Sequence, residues 1–95
     1  MGWIDKVPKK NKNLAWRVID GEAVIIPLTE QSEEGETINI LNQTATRIWE
    51  LCNSKNQVKD IIDSLSQEYD AEEALVICQV ERTMNELLEK RLISV

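Results

Sequence analysis

The chain has 95 residues, 42% of them hydrophobic, which is enough for one domain with a modest core that buries roughly two thirds of the surface its unfolded form exposes. It contains no histidine, and its two cysteines, Cys52 and Cys78, sit inside helical patterns and share no Cys-x-x-Cys spacing. A zinc site and a histidine base are therefore excluded, a disulfide scaffold is not expected, and both cysteines read as core residues.

The net charge of −6 is unevenly placed. Residues 1–17 hold Lys6, Lys9, Lys10, Lys12 and Arg17 against Asp5 alone, a local charge of +4 that leaves −10 on the rest. An acidic body repels phosphate backbones, so nucleic acid is not an expected partner for it. The basic head reads as a solvated leader to the first strand, with a nucleic-acid or acidic-peptide contact as the other readings. No signal peptide and no run of 18 apolar residues is present, so no membrane is expected and the cytoplasm is the default location.

Met1 to Asn13 reads as a largely irregular arm, its sizeable apolar pair being Trp3 and Ile4, and the domain proper as 14–95. Leu14 to Ile19 and Glu22 to Leu28 are strands rich in β-branched residues, joined by Asp20-Gly21, a two-residue hairpin signal of the type I′ kind. Pro27 removes a ladder donor, as an edge or strand terminus tolerates. Thr29 to Glu36 is polar and acidic without a period, hence a loop. A third strand, Thr37 to Leu41, is expected to turn Ile38 and Ile40 inward and Thr37 and Asn39 outward.

This strand runs straight into a helix, Gln43 to Asn53, capped by Asn42, and the joint sets the angle between sheet and helices. A second helix, about Val58 to Tyr69, carries Val58, Ile61, Ile62, Leu65 and Tyr69 as one apolar stripe. Asp70, with Glu73 three residues on, is expected to cap a third helix reaching about Lys90, with the stripe Ile77, Val80, Met84, Leu87 and Leu88. Leu92 to Val95 closes the chain as a short extended tail. The fold class is α+β: a small three-stranded antiparallel sheet followed by a three-helix bundle, winged-helix-like in outline.

Among the seventeen acidic residues, the candidate carboxylate pairs Glu72 with Glu73, Asp60 with Asp63, and Glu86 with Glu89 lie on polar faces of these helices, glycines are isolated, and Ser64, Ser66 and Thr83 have no histidine to activate them. An enzyme is not expected, and neither is a cofactor. The third helix, from Glu72 to Lys90, has a net charge of −3, the wrong sign for reading a DNA groove. What remains is an interaction surface. A short third strand at a sheet edge can accept an extended peptide as an added strand. Beside it, Ala74, Leu75, Val76, Ile77, Cys78 and Val80 run nearly all the way round the third helix, which is then either deeply buried or facing a partner; Leu75 is the hardest to bury.

The blocks LNQTATRIWELCN (41–53), VKDIIDSLSQEYD (58–70) and VERTMNELLEKRLI (80–93) resemble the PqqD family, small proteins related to the pyrroloquinoline quinone synthesis protein D. Asn53-Ser54, Gln57 and Arg91 depart from the family's usual Asp-Gly, Thr and Gly; Asn56 or Ser54 could cap the second helix instead, and a non-glycine residue at a left-handed helix end costs on the order of 1 kcal/mol. The resemblance implies a peptide-recognition element that holds the leader of a ribosomally made precursor peptide and presents it to a modifying enzyme, often a radical S-adenosylmethionine enzyme. It implies a leader lying along Thr37, Ile38, Asn39, Ile40 and Leu41, against Val76, Ile77, Val80, Thr83 and Met84. Main-chain pairing would supply affinity, and pockets between Ile38, Ile40 and the third helix specificity. The competing readings are a winged-helix nucleic-acid binder that uses the basic arm, and a small structural subunit docked permanently on an enzyme.

Overall fold

The computed structural model describes residues 4–28 and 38–95; Trp3, the loop expected over Thr29 to Glu36, and Thr37 lie outside the described residues. Strand β1 (Lys9–Lys10) is followed by β2 (Leu14–Ile19), β3 (Glu22–Pro27) and β4 (Asn39–Ile40). Helices α1 (Gln43–Leu51), α2 (Val58–Tyr69) and α3 (Glu73–Glu89) come next, and β5 (Ile93–Ser94) ends the order. The main sheet is antiparallel in the order β2-β3-β4, and β1 pairs with β5 in a separate two-stranded ribbon. The α+β class and the three-strand, three-helix order expected from the sequence are both present.

Local chemistry accounts for most boundaries. Asp20 and Gly21 have φ of 54° and 82°, the double positive φ of a type I′ turn, and they set Ile19 opposite Glu22. A Cβ on Gly21 would stand 3.2 Å from Nε2 of Gln43, so glycine also lets the hairpin tip close on the start of α1. Asn42 caps α1, its Oδ1 accepting from the Ala45 amide at 2.8 Å. The helix stops at Leu51, short of the expected Asn53, because the Cys52 amide bonds the Trp49 carbonyl at 3.1 Å and tightens the last turn.

Gln57 is the N-cap of α2, in place of Asn56 or Ser54, and its amide donates to Oδ2 of Asp60 at 2.8 Å. Asn53 organises the loop before it by accepting from the amides of Lys55 and Asn56. Asp70 corrects an expectation: with φ 50° it forms the left-handed end of α2, and Glu72 stands at the N-cap of α3 without a side-chain bond.

The basic arm is built into the domain. The carbonyls of Ile4 and Lys6 accept from the amides of Lys59 and Val58, each at 3.0 Å, so the arm satisfies first-turn donors that α2 cannot bond internally. Pro8 is buried, and the Asn11 amide bonds the Leu92 carbonyl at 2.9 Å. The expected C-terminal tail is correspondingly a strand, with Leu92 and Ile93 in the core.

The core joins the inner faces of all three helices to β3. Trp49 and Ile48 of α1, Ile61 and Leu65 of α2, and Val80 and Met84 of α3 are buried against Ala23 and Ile25. Trp16 meets Trp49 edge to face at 5.6 Å and 89°. Cys52 is buried as expected, but Cys78 is exposed, because it is two positions from Val76 and Val80 and so turns away from the buried stripe.

Candidate functional site: the edge of the sheet and the adjoining cleft

Among the described residues β4 pairs only with β3, which makes it an edge of the sheet. Its register decides what that edge offers. Ile40 stands opposite Val24 and Asn39 opposite Ile25. The Leu41 amide donates to the Ala23 carbonyl at 2.9 Å, and in an antiparallel ladder bonded and non-bonded pairs alternate. The Ile40–Val24 pair is therefore the non-bonded one, and the N–H and C=O of Ile40 point away from β3 along the open edge.

The same register sets the side chains. Asn39 shares a face with the fully buried Ile25 and is half-buried, whereas Ile40 and Ile38 are 63% and 57% exposed. This corrects the expected alternation: Ile38 and Ile40 turn to the outer face with Val24, away from the helices, and line none of the hollows described below. Leu41 closes the strand in the core at 9% exposure.

Between the end of β4, the start of α1 and one face of α3 lies a cleft of about 330 Å³, lined by Asn42, Thr44, Gln79, Arg82, Thr83 and Glu86. It is polar, with a cation and an anion on successive turns of α3. Sharing Thr44 and Gln79 with it is an apolar hollow of about 210 Å³, walled by Leu65, Tyr69, Leu75 and Val76. Leu75 and Tyr69 are 60% and 49% exposed and form its rim.

Of the α3 positions expected in the site, Thr83 lines the cleft and Val76, although 6% exposed, reaches the hollow. Val80 and Met84 are at 0% exposure and serve the core. Ile77 is half-buried on another flank, beside Ile4, Lys59 and Ile62. Their apolar stripe is what a core-facing flank requires, and the flank that borders the cleft is the polar one next to it. Gln79, Arg82 and Glu86 were missed for that reason: a polar stripe at helical spacing reads as solvated surface. Leu75 did carry a signal, as one apolar residue too many for the core.

The supporting ion pairs lie outside the cleft. Arg47 on α1 bonds Glu68 on α2 through Nε at 2.9 Å and Nη2 at 2.7 Å, and Glu50 through Nη1 at 3.2 Å. These bonds raise the pKa of the guanidinium and hold the Glu68 carboxyl below its usual range. No group of three or more His, Cys, Asp or Glu among the described residues is arranged to hold a metal ion.

The chain is similar to TbiB1, solved in complex with the TbiA(beta) leader peptide, with a TM-score of 0.77 and 23% identity over 90% of this chain and 94% of that one; the likeness is one of fold. No curated protein matches it. The model of the family described as Coenzyme PQQ synthesis protein D (PqqD) matches residues 31–93, well over half of the sequence. The chain is a member of the PqqD family.

Proposed function

We propose that this protein is a non-catalytic recognition module that captures the leader of a ribosomally made precursor peptide as an added strand on β4 and presents it to a modifying enzyme. The observation that carries the reading is the register of Ile40, whose main-chain N–H and C=O face the open edge beside the cleft. Its similarity in fold to TbiB1, a protein solved with a leader peptide, supports it, as does its family. Side-chain selection falls to α1 and α3: the polar cleft takes a polar or charged leader residue between Arg82 and Glu86, and the hollow at Leu75 and Tyr69 takes a bulky apolar one. A radical S-adenosylmethionine enzyme is the modifying partner in this proposal, and the cytoplasm its place. No helix among the described residues is long and apolar enough to cross a membrane.

The substitution Ile40→Pro tests the reading. Proline at a non-bonded ladder position removes only the outward N–H, so β4 keeps its bonds to β3. Synthetic leader segments from precursor genes neighbouring this one should shift the amide signals of residues 38–42 in the wild-type protein. In Ile40→Pro, with an unchanged far-UV spectrum, affinity should fall at least about tenfold, the equivalent of one well-placed hydrogen bond. A folded Ile40→Pro variant that binds the leader normally removes the mechanism.

A further inference from the structure

At the other end of α1 from the cleft, the β1–β5 ribbon and the loop after Cys52 enclose a concavity of about 810 Å³. Its wall carries Lys9, Lys10, Lys12 and Arg91 and no aspartate or glutamate, on a chain whose net charge is −6. We propose that this concavity is a docking site for a short acidic segment of a partner polypeptide, with Lys9, Lys12 and Arg91 meeting its carboxylates around a fixed Lys10.

Lys10 is the foundation of the site. Its Nζ donates to the Cys52 carbonyl at 2.8 Å, capping α1 where the helix dipole is negative, and stands 5.1 Å from the ring centroids of both Trp16 and Trp49. Partial burial lowers its pKa, against the pull of Cys52 and Glu50. The other three cations have no carboxylate partner among the described residues, in contrast to Arg47, which is held by Glu50 and Glu68. Arg91 stands at φ 60°, a left-handed position where glycine is free of strain, and its carbonyl is tied to Nδ2 of Asn11 at 3.0 Å. The backbone thus carries a charged side chain to the wall at a position that disfavours one.

The charge distribution selects the ligand. A long polyanion running on past the concavity would lie against a chain whose residues 18–95 carry a net −10. A segment with a few carboxylates is held inside it, and Asn13 and Ser54 offer hydrogen-bonding groups to its main chain. This inference goes beyond the leader reading and does not depend on it. Because the two sites sit at opposite ends of α1, both can be filled at once.

The test titrates dye-labelled octapeptides of alternating glutamate and glycine, or glutamine and glycine, and a single-stranded oligothymidylate of the same length, into the full chain, read by anisotropy at low and physiological salt. The acidic peptide should bind, more weakly as salt rises, and the glutamine peptide should not. The double variant Lys12→Gln/Arg91→Gly, in which glycine also relieves the backbone, should keep the fold and weaken acidic-peptide binding at least about tenfold. Its leader binding at β4 should be unchanged, which separates this site from the other. Equal binding of the two peptides, tighter binding of the oligonucleotide, or an unaffected double variant overturns the proposal.

Discussion

The hydroxyl of Thr46 accepts a hydrogen bond from the Ala23 amide at 2.8 Å and lies 3.2 Å from the Leu41 carbonyl, to which it donates. One buried side chain on α1 thereby ties the helix to β3 and to the end of β4, the joint that holds the sheet edge beside the cleft. The Ala23 amide points toward the β4 side of β3, where the hydroxyl stands between it and the Leu41 carbonyl, the acceptor it would otherwise meet in the ladder.

Thr46→Val keeps the shape and removes both bonds. It leaves a buried amide unsatisfied, a loss of about 1–3 kcal/mol. Urea denaturation should show the midpoint falling with an unchanged m-value. Thr46→Ser, which retains the hydroxyl, should recover most of the difference.

Leu75→Asp addresses the apolar hollow. Leu75 is 60% exposed, so the change should alter stability by no more than about 0.5 kcal/mol. Isothermal titration with a leader carrying a bulky apolar residue should show affinity reduced roughly tenfold or more, the effect of losing a central anchor. Unchanged affinity would show that the hollow takes no part in selection.

The two thiols should separate in native alkylation. Cys78 is exposed on α3, whereas Cys52 is at 0% exposure. Maleimide labelling followed by mass spectrometry should add one group rapidly at Cys78, and a second only on unfolding, because the thiolate is the reactive form and burial disfavours it.

Burial pushes the Cys52 thiol up to about 12 from 9.0, with the charge of Lys10 pulling it back. A raised folded pKa gives a contribution that is complete below the unfolded value and lost as pH rises through the folded one. The native state keeps the proton that the unfolded chain releases, so stability should decline from about pH 9 to about pH 12, at up to roughly 1.4 kcal/mol per pH unit. The lowered pKa of Lys10 acts in the opposite sense and blunts the slope. Denaturation of the wild type and Cys52→Ala at pH 8 and at higher pH should show the wild type losing stability faster.

Features set within a few residues of chain were legible in the sequence. Asp20-Gly21 dictates a turn with two positive φ values, Asn42 caps α1 through its own side chain, and the stripes of α2 and α3 state which elements are helices. Three strands before three helices, and an edge strand leading into α1, follow from those signals. The direction of Ile38 and Ile40 does not, because a period of two says only that neighbours point to opposite faces, and the pairing of Asn39 with Ile25 chooses which face is inside. A helical stripe likewise marks Val80 and Met84 as buried without saying whether core or cleft covers them; packing against Ile25 and Trp49 assigns them to the core and leaves the polar flank at Gln79, Arg82 and Glu86 to line the cleft. The basic arm became a strand for the same kind of reason. Its partners, the first turn of α2 and the C-terminal strand, are distant in sequence, and only the folded chain brings their unsatisfied main-chain groups to it.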